Sequence, residues 1–243
     1  MLFRSVGERG RFARALLHNN LGVVAMSGGD RAAALREFGL ARDQRTGLAP
    51  RDAAELGSAL ENLVLQSDDL TQRQRAGEEL LRERTAALGA HHPLTLQARI
   101  FVGLAATELD AARRVAGAAV LELARYHPEL GGVIADLARE PALLAAVDGD
   151  VAQVRQLAAA VSAARAHGAA DEEVAMVEAL GAMADGHAAS AAARLRALAA
   201  PLHASATAAS PWWHYNQLLT LRLAIAVGDL AAGQVASARS ELT

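Results

Sequence analysis

Ser27-Gly28-Gly29-Asp30 is the first stretch of this chain whose residue types could do chemistry. Adjacent glycines free backbone N–H groups to cradle a phosphate, but such a loop is completed by Gly-Lys-Ser/Thr and follows a strand. Neither condition is met, because every basic residue in the chain is arginine and none is lysine. The same four residues suit a bend between two helices, the glycines ending the first and Asp30 capping the second. His91-His92 raise the question of a metal. Adjacent histidines cannot both face one ion from a helix, no acid stands four residues on, and Pro93 makes the pair a turn. There is no Gly-x-Ser-x-Gly elbow. The absence of cysteine excludes disulfides, thiolate zinc sites and cysteine nucleophiles.

The remaining charged groups read as structural first. Asp171-Glu172-Glu173 suit the first turn of a helix, where the dipole favours acids. The segment 71–85 mixes signs at helical spacing and reads as a solvated face; its functional reading is that Arg73, Arg75, Arg82 and Arg84 clamp an acidic peptide. Trp212-Trp213-His214-Tyr215 concentrate the aromatics of a chain in which aromatics are only 3%. Trp212, Trp213 and Tyr215 either plug the C-terminal end of the fold or anchor a partner. No cofactor or metal is expected.

The elements that hold these residues are helices. Hydrophobic residues reach 52% with few aromatics, so Ala, Leu and Val must build the core, and Ala and Leu head the helix scale. Before the bend, Leu17, Leu21 and Val24 fall on one helical face with Ala25 beside it, and this face is expected to pack; after it, Ala34, Phe38 and Ala41 repeat the spacing. The bend dipeptide Gly29-Asp30 has echoes at Asp69-Leu70, Leu109-Asp110 and Gly149-Asp150, then at Gly186-His187 and Gly228-Asp229. Leu60-Glu61-Asn62-Leu63 parallel residues 18–21. Pro141 marks the start of a helix or a kink in one, and residues 201–213 read as a loop before a fresh helix from Pro211 or Trp212.

Leu21-Gly22, Ala25, Gly29-Asp30, Ala34, Phe38 and Ala41 resemble the tetratricopeptide repeat, whose small signature positions are where the two helices of a repeat touch. Residues 88–99, with Gly89, His92 and Pro93, look like the linker of the longer, kinesin-light-chain-like form. The resemblance implies an all-α fold, one right-handed α-solenoid over residues 1–243 of about six antiparallel hairpins, clearest over 11–105 and degenerate over 106–243. It also implies a non-enzymatic scaffold that binds a peptide or partner domain on its concave face. By the same resemblance Asn19, Asn20 and Asn62 hydrogen-bond a bound backbone, and Arg73, Arg99, Trp212, Trp213 and Tyr215 join the candidate set.

A second reading is a regulatory segment of a larger bacterial signalling protein, attached to a serine/threonine kinase or a transcriptional activator. A chain that begins almost directly in a helix fits such a segment. The net charge of −3 with mixed signs gives no footprint for nucleic acid. No apolar run approaches the roughly 20 residues of a membrane helix, and the charged N-terminus is no secretory signal, so a cytoplasmic protein is expected, without a membrane partner. A homo-oligomer is compatible with all of this.

Overall fold

A computed structural model of the chain describes residues 6–45, 48, 57–205 and 212–243, with the side chains of residues 6, 8 and 212–216 outside that description. The described residues form helices joined by short turns, with no strand among them. The chain divides into two compact units, Met1–Thr107 and Glu108–Thr243.

The first unit holds α1 (Val6–Ser27), α2 (Arg31–Arg45), α3 (Ser58–Gln66), α4 (Leu70–Leu88) and α5 (Pro93–Leu104). Each packs on the next, and α3 also reaches α5. The opening bend forms as its residues require. Gly29 adopts φ +80°, Asp30 N–H donates to Ala25 O at 2.9 Å, and Asp30 Oδ1 accepts from Ala33 N–H at 2.9 Å. Ala34, Phe38 and Ala41 are buried as their spacing predicts.

α1 turns the other way. Its buried face is Ala15, Asn19, Gly22 and Met26, while Leu17, Leu21 and Val24 point outward, 55%, 45% and 68% exposed. Gly22 is the physical reason. The Phe38 ring lies so close to the α1 backbone that a Cβ at Gly22 would sit 2.4 Å from Phe38 Cε1. Burying a phenylalanine contributes about 1.5–3 kcal/mol, and only the small-residue face of α1 lets this ring in.

The second unit holds α6 (Leu109–Tyr126), α7 (Gly131–Asp148), α8 (Val151–Ala164), α9 (Asp171–Ala184), α10 (Ala188–Ser205), α11 (Trp212–Ala231) and α12 (Val235–Glu241). Neighbours pack in sequence, and α6 with α8, α7 with α9 and α9 with α11 meet across one intervening helix. Neighbour contacts supplemented by these second-neighbour contacts are compatible with hairpins laid side by side. Alanine makes it feasible: Ala112, Ala116, Ala135, Ala138, Ala142 and Ala145 are buried with almost no side chain to separate the backbones.

Three local expectations change. α7 runs through the buried Pro141 and begins at Gly131, since the helix needs no N–H at one interior position if packing holds it. α10 likewise continues through Pro201 to Ser205, so the break before the next helix is shorter than residues 201–213. Gly228-Asp229 is no bend but lies inside α11, where Gly228 fits under Met183 and Asp229 is buried; the bend follows at Gly233. Among the described residues the units hold five and seven helices, so the count departs from six hairpins.

Candidate functional site

Asn62 Nδ2 donates to Asn19 Oδ1 at 3.2 Å, joining α1 to α3. These are the first helices of successive hairpins, and the hydrogen bond links them at this one point. Asn19 is buried and bonded, Asn62 is half-buried, and Asn20, on the adjoining face of α1, is exposed. Asn62 keeps a second N–H and its carbonyl oxygen for other partners, by the capacity of an amide. The structure thus brings Asn19 and Asn62 together, with Asn20 beside them as the accessible member.

Arg73 and Arg99 lie apart from this row. Arg73 Nε donates to Val64 O at 2.9 Å, satisfying a free carbonyl in the last turn of α3. Arg99 is half-buried on α5. In the charged segment 71–85, Ala76, Gly77, Leu80 and Arg84 are buried, so that face is only partly solvated. Arg84 pairs with Glu61 at 2.6 Å and donates to Leu94 O at 3.0 Å, which ties α4 to α3 and α5. The side chains of Trp212, Trp213 and Tyr215 lie outside the described residues.

A recurring arrangement of arginines was not foreseen from the sequence. Arg31 in α2 donates to Gln66 O at 3.0 Å and pairs with Asp68 at 2.7 Å, at the end of α3. In the second unit Arg113 of α6 pairs with Asp148 at 2.9 Å and with Asp150, at the end of α7. Arg155 of α8 donates to Ala184 O at 3.1 Å and pairs with Asp185 at 2.7 Å, at the end of α9. Arg196 of α10 pairs with Asp229 in α11 and donates to Ser237 Oγ at 2.8 Å. Each time, one helix lays a guanidinium on or near the carbonyl end of the next helix in the chain, 30 to 37 residues on. Cations are favoured at that end of a helix, and the aspartate adds a charge-assisted hydrogen bond. The signal in the sequence is an aspartate at or near a helix end with an arginine one repeat earlier.

Four carboxyls are displaced from their ordinary range, the exposed Glu129 downward, chiefly by a backbone hydrogen bond. Burial pushes Glu83 up, against the pull of Arg45, with Glu79 adding to the rise. Burial also raises Glu140, with Arg139 opposing. At Glu178 burial works upward too, but hydrogen bonds from Ser162, Arg194 and Arg165 together hold the carboxyl below its ordinary range. Ser162, Arg165 and Arg194 come from three elements, so Glu178 is a cross-brace of the α8–α10 region.

A depression of about 280 Å³ between α6, α7, α8 and the turn after α8 is lined by Leu121, Ala124, Ile134 and Ala164, with Arg125 and His167 as its polar groups. That supplies an apolar lining but few converging polar groups to specify a reaction. His92, one of the candidate metal residues, caps α5 by accepting from Leu94 N–H at 3.2 Å. Among the described residues no three His, Asp or Glu side chains gather as a metal site, and no helix is long and apolar enough to cross a membrane. No protein-family model matches the chain, and no curated protein matches it.

Proposed function

We propose that this protein is a non-enzymatic docking scaffold of tetratricopeptide-like helical hairpins, each unit a stretch of α-solenoid that binds a peptide or a partner domain along its first helices. The observation that carries this reading is the Asn62–Asn19 hydrogen bond. It joins the first helices of two hairpins through their amides, which supports a reading in which these helices offer amide groups to a bound backbone. The repeated tie of an arginine to the end of the next helix supports the same reading, because it fixes the helix-to-helix offset that a continuous docking surface needs.

Selection of random peptides on the immobilised full chain tests it. Asn20→Ala with Asn62→Ala removes two side chains worth about 0.5–1.5 kcal/mol per hydrogen bond, so selected peptides should bind about tenfold more weakly. The melting temperature should hold within a few degrees. Peptides that bind the double variant as well as the parent would reject this surface.

A further inference from the structure

The depression between α6, α7, α8 and the turn after α8 has a chemistry that peptide docking leaves unused. Ala160, Ala163 and Ala164 line it from α8, Leu121 and Ala124 from α6, and Ile134, buried, from α7. Its volume of about 280 Å³ takes about ten non-hydrogen atoms, at the roughly 30 Å³ that one water occupies in the liquid. One wall is set by backbone against backbone. A Cβ at Gly131 would sit 2.4 Å from Ala164 O and 2.7 Å from His167 O, so the first residue of α7 is seated directly on the turn after α8. Gly168, at φ +85°, ends that turn. Such a wall is formed before a ligand arrives, as small-molecule sites usually are.

Charge selects the ligand. Among the described residues no acid lines the depression, whereas Arg125 and His167 both do. Glu129, on the turn between α6 and α7, lies 3.3 Å from His127 Nδ1 and within electrostatic reach of His167. Arg125 has no such match. Among the described residues it pairs with no carboxylate, and its guanidinium rests 5.5 Å from the centroid of the Tyr126 ring. A guanidinium over an aromatic face keeps its N–H edge for a carboxylate, which it holds through two charge-assisted hydrogen bonds.

We propose that the second unit binds a small amphiphilic monocarboxylate in this depression, its aliphatic body of about eight carbons against Ala160, Ala163 and Ile134 and its carboxylate on Arg125. A neutral molecule of the same size fills the depression but leaves Arg125 unmatched. The site shares no residue with the asparagines of the first unit, so peptide docking there can fail while carboxylate binding here holds.

Titration of the full chain with octanoate, followed by amide shifts in two-dimensional NMR, reads the site directly. Saturable shifts should cluster at Ala124, Ile134 and Ala163. Octanamide, of equal size without the charge, should bind about fivefold or more weakly than octanoate, the difference between a charge-assisted and a neutral contact. Arg125→Gln should bring octanoate down to the octanamide level and leave octanamide where it was. The melting temperature should not move, since Arg125 is exposed. Ala163→Leu, at another exposed position, fills the depression and should abolish binding of both. Shifts that never saturate, or that scatter beyond these helices, would overturn the proposal. So would equal affinities for octanoate and octanamide, or an octanoate affinity that Arg125→Gln or Ala163→Leu leaves unchanged.

Discussion

The guanidinium of Arg31 lies 2.7 Å from the carboxylate of Asp68, across the step from one helical hairpin to the next. Arg113 with Asp148, Arg155 with Asp185 and Arg196 with Asp229 likewise tie one helix to the next in the second unit. Hydrophobic stripes of alanine can slide past one another by a turn at small cost, because each alanine offers much the same surface. A guanidinium that must meet one aspartate cannot slide. The ties therefore act on register, and their contribution to stability differs with burial.

That difference can be measured. Arg155 and Asp185 are both more than half exposed, and an exposed pair contributes about 0–1 kcal/mol. Asp229 is fully buried, and removing one partner of a buried pair costs about 3–5 kcal/mol because a charge is left without compensation. Urea unfolding should show Arg196→Ala far more destabilised than Arg155→Ala. Arg196→Met with Asp229→Leu together should recover most of the loss, since neither charge then remains. Equal midpoints for the two single variants would contradict this.

The contact of Gly22 with Phe38 gives a second expectation. Gly22→Ala would normally favour a helix, as alanine has the higher propensity. Here its Cβ meets the Phe38 ring at 2.4 Å, and overpacking of that kind costs about 1–3 kcal/mol. Calorimetry should show a lowered melting temperature for Gly22→Ala. Phe38→Leu should be less harmful in the presence of Gly22→Ala than alone, because the smaller side chain makes room. Additive effects of the two changes would remove the steric account.

How far these features could be read from the sequence depends on what each residue type betrays. Gly29 and Asp30 declare a bend because their conformational and capping preferences are local, and His92-Pro93 declare the start of α5 for the same reason. The face of α1 could not be read that way. Apolar residues surround that helix, and the larger ones gave the clearer stripe, whereas packing chose the side on which Gly22 admits an aromatic ring. Gly228-Asp229 copied a bend in composition, but burial under Met183 and the pairing with Arg196 keep it helical. Asn62 was legible as a counterpart of the asparagines in α1. That Asn19 turns inward to bond it, leaving Asn20 as the exposed amide, is a matter of helix phase that spacing alone does not set.

Glu140 and Glu178 make opposite predictions about pH, and the signs follow from their displacement. The folded value of Glu140 is raised above its ordinary 4.5, chiefly by burial. The folded state then holds its proton more tightly than the unfolded chain. Stability falls as pH rises from the unfolded value through the folded one, and the full penalty remains at neutral pH. Glu140→Gln should accordingly melt higher than the parent at pH 7, with the gain vanishing in acid where the parent's carboxyl is already neutral. Glu178 is held low despite its burial, by Ser162, Arg194 and Arg165. Its stabilisation is complete above the ordinary value and is lost as pH falls through the depressed one. Glu178→Gln should melt lower than the parent at pH 7, and the two curves should converge once the pH has fallen below the depressed value. Thermal melts of the three proteins across the acid range would show one difference opening upward with pH and the other downward; parallel curves for either variant would refute the assignment for that residue.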